Sequence, residues 1–159
     1  MRKIVLSIGV IITMIGLFLL IIDFSPYDDS DAEGTITIIV VDINGHRVIE
    51  DTHAFTDEDT LFDILSNHYN IDYRSMRVPY YQDGKITQSM SRAILSIGTV
   101  ETDFEQSFLK IYLHTPIVDD EDHIIDYDVR VSHVGVDHLP LKDAFVYEFR
   151  VEGVWGGGS

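Results

Sequence analysis

The sequence contains no cysteine. Without cysteine, the fold cannot rest on a disulfide framework. Lipid attachment through a processed N-terminal cysteine is excluded as well, so any hold on a membrane must come from the polypeptide itself.

Basic residues are scarce, because 11 Lys and Arg stand against 27 Asp and Glu. The formal net charge is −16. A surface of this charge repels nucleic acid and anionic lipid, so we expect no nucleic-acid partner. Net charge bears on solubility and partners and does not determine the fold.

The common catalytic signatures are also missing. The chain has no Gly-rich phosphate loop, no His-Glu-x-x-His helix, no Gly-x-Ser-x-Gly elbow and no cysteine nucleophile. Acidic pairs are abundant simply because the chain is acidic, and a general acid and base would have to converge in space. We therefore expect a protein that is not an enzyme.

A long apolar run is present at residues 4–22, directly after Arg2 and Lys3. Its length matches the roughly 20 apolar residues that a bilayer core requires. Bulky residues lead straight into Asp23 without a small-residue cleavage site, which favours a retained anchor over the alternative, a cleaved signal peptide. The basic pair favours a cytoplasmic position for residues 1–3. The sequence thus predicts a single-pass cell-membrane protein whose remaining chain is extracytoplasmic.

Composition divides that remaining chain into three parts. Residues 23–34 are too polar and charged to bury and are predicted to form an acidic tether. Residues 35–154 have the size of one domain with a single core. Residues 155–159 include a Gly-Gly-Gly-Ser run and are interpreted as a flexible tail or an expression scar.

Local patterns at the start of the domain predict two strands and a helix. Thr35–Asp42 is rich in β-branched residues, and Asn44-Gly45 supplies a tight turn before a second strand, His46–Phe55. After a polar start at residues 56–59, apolar residues recur at helical spacing. These are Leu61, Phe62, Ile64, Leu65 and Tyr69.

Strand-like segments follow the helix. Tyr73–Tyr81 and Lys85–Ser91 flank an Asp-Gly turn and predict an inserted hairpin or an irregular excursion. Further strands are expected at Ala93–Val100, Phe108–His114 and Phe145–Val151. The predicted fold class is α+β: an N-terminal transmembrane helix followed by a β-grasp-like domain, in which a mixed sheet curls around one helix.

Several segments resemble the transcobalamin C-terminal-like domain family. They are Thr35–Val40, Asp59–Leu65, Ile94–Gly98, Phe108–Tyr112 and Val134–Asp143 followed by Tyr147–Phe149. The resemblance covers most of the chain beyond the tether. It implies a β-grasp-like fold in a secreted or membrane-anchored module, and a corrinoid-like ligand, because the related domain of vertebrate cobalamin carriers closes over a corrinoid. The family commonly has an aromatic pair with tryptophan where this chain has Phe108-Leu109.

Two classes of function fit these features better than a third, a metal-dependent enzyme or metal-stabilised module. The first is a binding module that captures a small molecule or docks on a membrane complex, such as a transporter, as an accessory subunit. The second is a structural or protein-interaction domain of the cell envelope that pairs with another protein through an edge strand. An open apolar pocket would favour the first class.

Aromatic residues are the candidates for contact with a ligand or partner, because exposed tyrosine is favoured at recognition surfaces. Packing in the core is the alternative role for each of them. The candidates are Tyr73, Tyr80, Tyr81, Phe108 and Tyr112.

Metal candidates occur in one acidic run: Asp119, Asp120, Asp122 and His123. Carboxylates suit calcium and imidazoles suit zinc. The run lacks the alternating spacing and turn glycine of a calcium loop, so a solvated acidic turn is favoured over a calcium site. Apart from calcium or a corrinoid, we expect no cofactor.

Overall fold

The computed structural model describes residues 30–82, 85–103 and 105–153. The apolar run at 4–22 and the tail at 155–159 lie outside the described residues. Within the described ranges, no helix is long and apolar enough to cross a membrane.

The described part contains eight strands, one α-helix and one short 3-10 helix. In chain order they are β1 Glu33–Val41, β2 Arg47–Thr56, α1 Leu61–His68, β3 Ile71–Gln82, β4 Lys85–Ile97, β5 Val100–Glu101, β6 Ser107–Val118, β7 Ile124–Val131, the 3-10 helix Val136–His138 and β8 Val146–Gly153. One sheet has five strands in the order β2-β1-β8-β6-β7, and the other has three in the order β3-β4-β5. Strands β1 and β8 are parallel, whereas the other neighbours are antiparallel.

The predicted fold class was wrong. We expected an α+β domain with one mixed sheet curled around a helix, after a transmembrane helix. The described residues are instead mostly β-sheet, in two sheets, with one α-helix of eight residues and no helix able to span a membrane. The physical reason is that β3 and β4 pair with each other from end to end, so they form a second sheet and do not join the first.

The first hairpin is confirmed. Gly45 has a φ of +81°, a backbone conformation that glycine adopts without steric strain. Asp42 Oδ1 accepts hydrogen bonds from the backbone N–H groups of His46 (2.8 Å) and Asn44 (2.9 Å). The bond from His46 is the largest contribution that holds the pKa of Asp42 below its ordinary value. The turn is therefore fixed by both its glycine and its aspartate.

The helix begins later than the polar run at residues 56–59 suggested. Thr60 is the N-cap, and its Oγ1 accepts a hydrogen bond from the backbone N–H of Asp63 at 3.2 Å. In return, the Asp63 carboxylate accepts from the backbone N–H of Thr60 at 3.1 Å. This reciprocal capping satisfies two N–H groups that the first turn leaves unpaired.

One hydrophobic core joins α1, the inner face of the five-stranded sheet, the base of the three-stranded sheet and the segment 134–141. In β8 the core residues alternate, since Tyr147, Phe149 and Val151 point inward. The residues between them lie on the opposite side of the sheet, which we call the outer face. The inner face therefore holds the second sheet and the helix in place.

Candidate functional site

A groove of about 310 Å³ opens between β4, β6 and the segment that precedes the 3-10 helix. We call it the edge groove. Its apolar lining comprises Ile94, Leu109, Ile111, Val134, Val136 and Phe149. Met76, Arg92 and Lys110 also line it. Ligand pockets combine a largely apolar lining with a few polar groups in this way.

The edge groove exists because, among the described residues, β6 lacks a strand partner along part of one side. Strand β8 pairs with the start of β6, whereas β7 pairs with it only from Tyr112 onward. The last backbone bond on the β7 side runs from Ser132 N–H to the Ile111 carbonyl, at 2.8 Å. Because backbone groups alternate in direction along a strand, the N–H and C=O of Leu109 point toward this unpaired side. The groove thus offers backbone hydrogen-bonding groups beside its apolar lining.

Arg92 is fixed beside the groove by Asp137. The Asp137 carboxylate accepts from the Arg92 backbone N–H (2.6 Å), from Arg92 Nε (2.7 Å) and from the Ser91 hydroxyl (2.8 Å). Burial alone would raise the pKa of Asp137, but these bonds outweigh it and hold the pKa below its ordinary value. The Arg92 guanidinium also lies 3.4 Å from the centre of the Phe62 ring. We call this arrangement the Asp137 lock.

Lys110 is paired on the outer face. Its Nζ donates to Glu152 at 3.0 Å, and this bond is the main reason why the pKa of Lys110 is raised. Tyr112 donates its hydroxyl to the same carboxylate, and the guanidinium of Arg150 lies 5.0 Å from the Tyr112 ring centre. Tyr112 therefore belongs to a network of paired charges.

The aromatic candidates whose side chains the structure describes do not form one site. Phe108 lines the edge groove. Tyr112 lies on the outer face in the charge network just described. Tyr73 packs edge-to-face against a helix phenylalanine, with ring centres 5.0 Å apart, and is 47% exposed. Tyr80 and Tyr81 belong to β3, but their side chains lie outside the described residues.

Most of the groove was missed from the sequence. Ile94, Val134 and Val136 have the apolar character of core residues, and all three are in fact buried. Whether such residues also line a groove depends on where β7 stops pairing with β6. No local signal in the sequence marks that point.

The metal candidates lie at the turn between β6 and β7. Asp119 Oδ1 accepts from the backbone N–H groups of His123 and Glu121, each at 2.9 Å, and these bonds lower the pKa of Asp119. Asp122 adopts a φ of +60°, and Asp120 lies beside it in the same turn. Across the part of the chain that the structure describes, no three His, Asp or Glu residues are arranged to hold a metal ion. Calcium binding here stays an alternative to the solvated acidic turn that the sequence favours.

A second polar cluster joins β2 to the end of α1. The Tyr69 hydroxyl donates to Asp51 at 3.2 Å, and its oxygen lies 2.6 Å from His53 Nε2. The rings of His53 and His68 lie 4.1 Å apart between centres. Burial, and then the nearby His68, lower the pKa of His53, while Asp51 acts in the opposite direction. The fold therefore favours the neutral form of His53.

Because the pKa of His53 is lowered in the folded protein, we expect acidification to destabilise the fold. As the pH falls, His53 in the unfolded chain takes up a proton near its ordinary pKa of about 6.5, before the folded protein does. The free energy of unfolding should therefore decrease below that pH and level off below the folded pKa. We expect wild type to lose more stability than His53→Gln between about pH 8 and about pH 5 in urea unfolding. Parallel pH curves for the two proteins would contradict this assignment.

Comparisons with known proteins give no further guide to the site. No protein family matches the chain, and no curated protein is significantly similar to it. The resemblance to the transcobalamin C-terminal-like domain family stays a prediction.

Proposed function

We propose that the protein is an extracytoplasmic binding module that captures a small apolar molecule in the edge groove. The supporting observation is the groove itself, which combines an apolar lining, a volume of about 310 Å³ and an unpaired strand edge. In this proposal Arg92 and the backbone N–H and C=O of Leu109 help to orient polar atoms of the ligand at the rim, because the Lys110 ammonium is paired with Glu152 on the outer face. The apolar segment at residues 4–22 tethers the module to the membrane, with Arg2 and Lys3 on the cytoplasmic side.

The size of the groove favours a ligand smaller than a corrinoid. Pockets for small molecules span about 300–1,000 Å³, and the edge groove lies at the lower end of that range. A corrinoid is a large macrocycle and would need a second surface to cover it. The proposed ligand class is therefore a compact apolar molecule with one or two polar groups.

Methionine methyl groups offer a direct test of this proposal. Met76 lines the edge groove, whereas Met90 is 58% exposed on the same hairpin. Met76 and Met90 lie on opposite faces of that hairpin, because Met76 pairs with Ser91 and Met90 pairs with Arg77. In the full chain carrying ¹³C-methyl methionine, indole should shift the Met76 resonance saturably and leave the Met90 resonance nearly unchanged.

Two substitutions of phenylalanine for alanine make this test more specific. Ala93 lines the groove, so Ala93→Phe should fill part of it and abolish the saturable shift of Met76. Ala54 is exposed on β2, so Ala54→Phe is the matched control and should leave the titration unchanged. Equal, unsaturable shifts at both methionines in wild type would refute the proposed site.

A further inference from the structure

Exposed apolar side chains are concentrated on the hairpin formed by β6 and β7. Among the described residues, nine large apolar side chains are exposed, and five of them lie on this hairpin. They are Ile117, Val118, Ile124, Ile125 and Val129, with exposed fractions between 41% and 64%. Tyr127 shares the outer face of β7 with Val129 and packs on the small cluster of Ile39, Val41 and Val146. This hairpin is therefore a surface that a protein partner could bury.

Within the part of the chain that the structure describes, strand β7 is also an open edge of the five-stranded sheet. The bond from Ser132 N–H to the Ile111 carbonyl shows which residues turn their backbone groups toward β6. By alternation, Tyr127, Val129 and Val131 direct their N–H and C=O groups away from β6, toward the open side. A strand placed beside β7 would therefore find a row of backbone donors and acceptors.

We propose that β7 pairs antiparallel with β7 of a second copy of this chain, around a two-fold axis at Val129. In this register Val129 faces its own symmetry mate, and Tyr127 faces Val131 of the other copy. All three residues direct backbone groups to the open edge, so the ladder of hydrogen bonds is in phase. The two five-stranded sheets become one continuous sheet, and the exposed edge disappears.

Charge on the inner face of β7 selects this register. Asp128 and Arg130 alternate there with the outward apolar residues and pair with each other within the strand at 2.7 Å, while 45% and 59% of their side chains stay exposed to a facing strand. With the axis at Val129, each Asp128 faces Arg130 of the other copy, which forms two opposite-charge pairs. Moving the axis to Asp128 places that carboxylate against itself, and moving it to Tyr127 places Asp126 against Asp128. Of the axes at Tyr127, Asp128 and Val129, only the last avoids directly opposed carboxylates, and an axis at Arg130 would place two guanidinium groups against each other.

Other occupants fit this surface less well. The turn at the end of the hairpin carries four consecutive acidic residues, 119–122, which would repel anionic lipid. The opposite edge strand, β2, exposes mainly polar and charged side chains and has only Val48 as an exposed large apolar residue. The net charge of −16 opposes association of two copies, but salt at physiological strength screens the charges that lie farther apart.

Cross-linking through a single introduced cysteine tests the pairing, because the chain has no native cysteine. The full chain is solubilised in detergent at a ratio of several micelles per protein molecule. It is then treated with a short bifunctional maleimide. Val129→Cys should give a cross-linked dimer, because the two copies of residue 129 lie about 5.5 Å apart between Cα atoms in a hydrogen-bonded antiparallel pair. Val48→Cys, on the opposite edge strand, is the matched control and should stay monomeric.

Charge reversal separates the proposed register from random contact. In the Val129→Cys background, Asp128→Arg places like charges opposite each other and should reduce dimer association about tenfold. Adding Arg130→Asp restores opposite charges and should restore the cross-link. Each variant should keep the thermal midpoint of its parent, which reports on folding. Equal cross-linking at positions 129 and 48, no cross-link at 129, or no response to charge reversal would each overturn the proposal.

Discussion

Replacing Phe149 with alanine should lower the free energy of unfolding by about 3–5 kcal/mol, the usual range for removing a buried phenylalanine from a core. Phe149 is 0% exposed and lies in the central strand β8. It faces Val40 on β1 and Ile111 on β6, so its ring fills the space between two neighbouring strands and the elements packed above them. The alanine variant would leave a cavity that these neighbours cannot close.

Urea unfolding followed by circular dichroism measures this effect. Phe108→Ala is the matched control, since Phe108 is only partly buried on β6 and should lose markedly less stability. If Phe149→Ala proves too unstable to purify, Phe149→Leu should still lose up to about 1.5 kcal/mol. Similar losses at positions 149 and 108 would show that β8 does not anchor the core as described.

The parts of the fold that follow local rules could be predicted. The first hairpin depends on Asn44-Gly45 and on a run of β-branched residues, and these signals act within a few positions of the chain. The helix depends on apolar spacing and on a polar cap, so its existence was predictable although its first residue was not. Both elements are present, with the helix beginning at Leu61, after the polar run.

The sheet architecture could not be predicted, because it depends on pairing between distant segments. The sequence indicated strands around Tyr73–Tyr81 and Lys85–Ser91, but not that the second would continue without a break to Ile97. That continuity gives β3 and β4 enough mutual hydrogen bonds to form a separate sheet. The early termination of β7 pairing, which opens the edge groove, is a tertiary feature of the same kind.

The candidate site was hard to predict for a related reason. Aromatic residues were chosen because they are common at recognition surfaces, but of the candidates whose side chains the structure describes only Phe108 lines the groove. The polar residues that shape the site, Arg92 and Asp137, are 45 positions apart in the chain. No motif connects them, and their pairing emerges only when the 3-10 helix packs against β4.

Replacing Asp137 with alanine should lower the free energy of unfolding by about 2–3 kcal/mol. The substitution removes the acceptor for the Arg92 side chain, the Arg92 backbone N–H and the Ser91 hydroxyl together. Ser91 is 3% exposed, so its hydroxyl would lose a partner in a place that water reaches poorly. The Asp137 lock also joins the 3-10 helix to β4, so the side of the groove formed by Gly135 and Val136 should loosen as well.

An exposed ion pair provides the comparison for the Asp137 lock. Glu50 accepts from Arg47 at 2.8 Å, but both side chains are more than half exposed, so Glu50→Ala should cost at most about 1 kcal/mol.

Acid offers an independent check, because the pKa of Asp137 is held below its ordinary value of 3.8. The stabilisation is therefore complete above that pH and is lost as the pH falls through the folded pKa. The stability difference between wild type and Asp137→Ala should shrink over the same range, and a difference that is constant with pH would mean that the carboxylate charge does not hold Arg92.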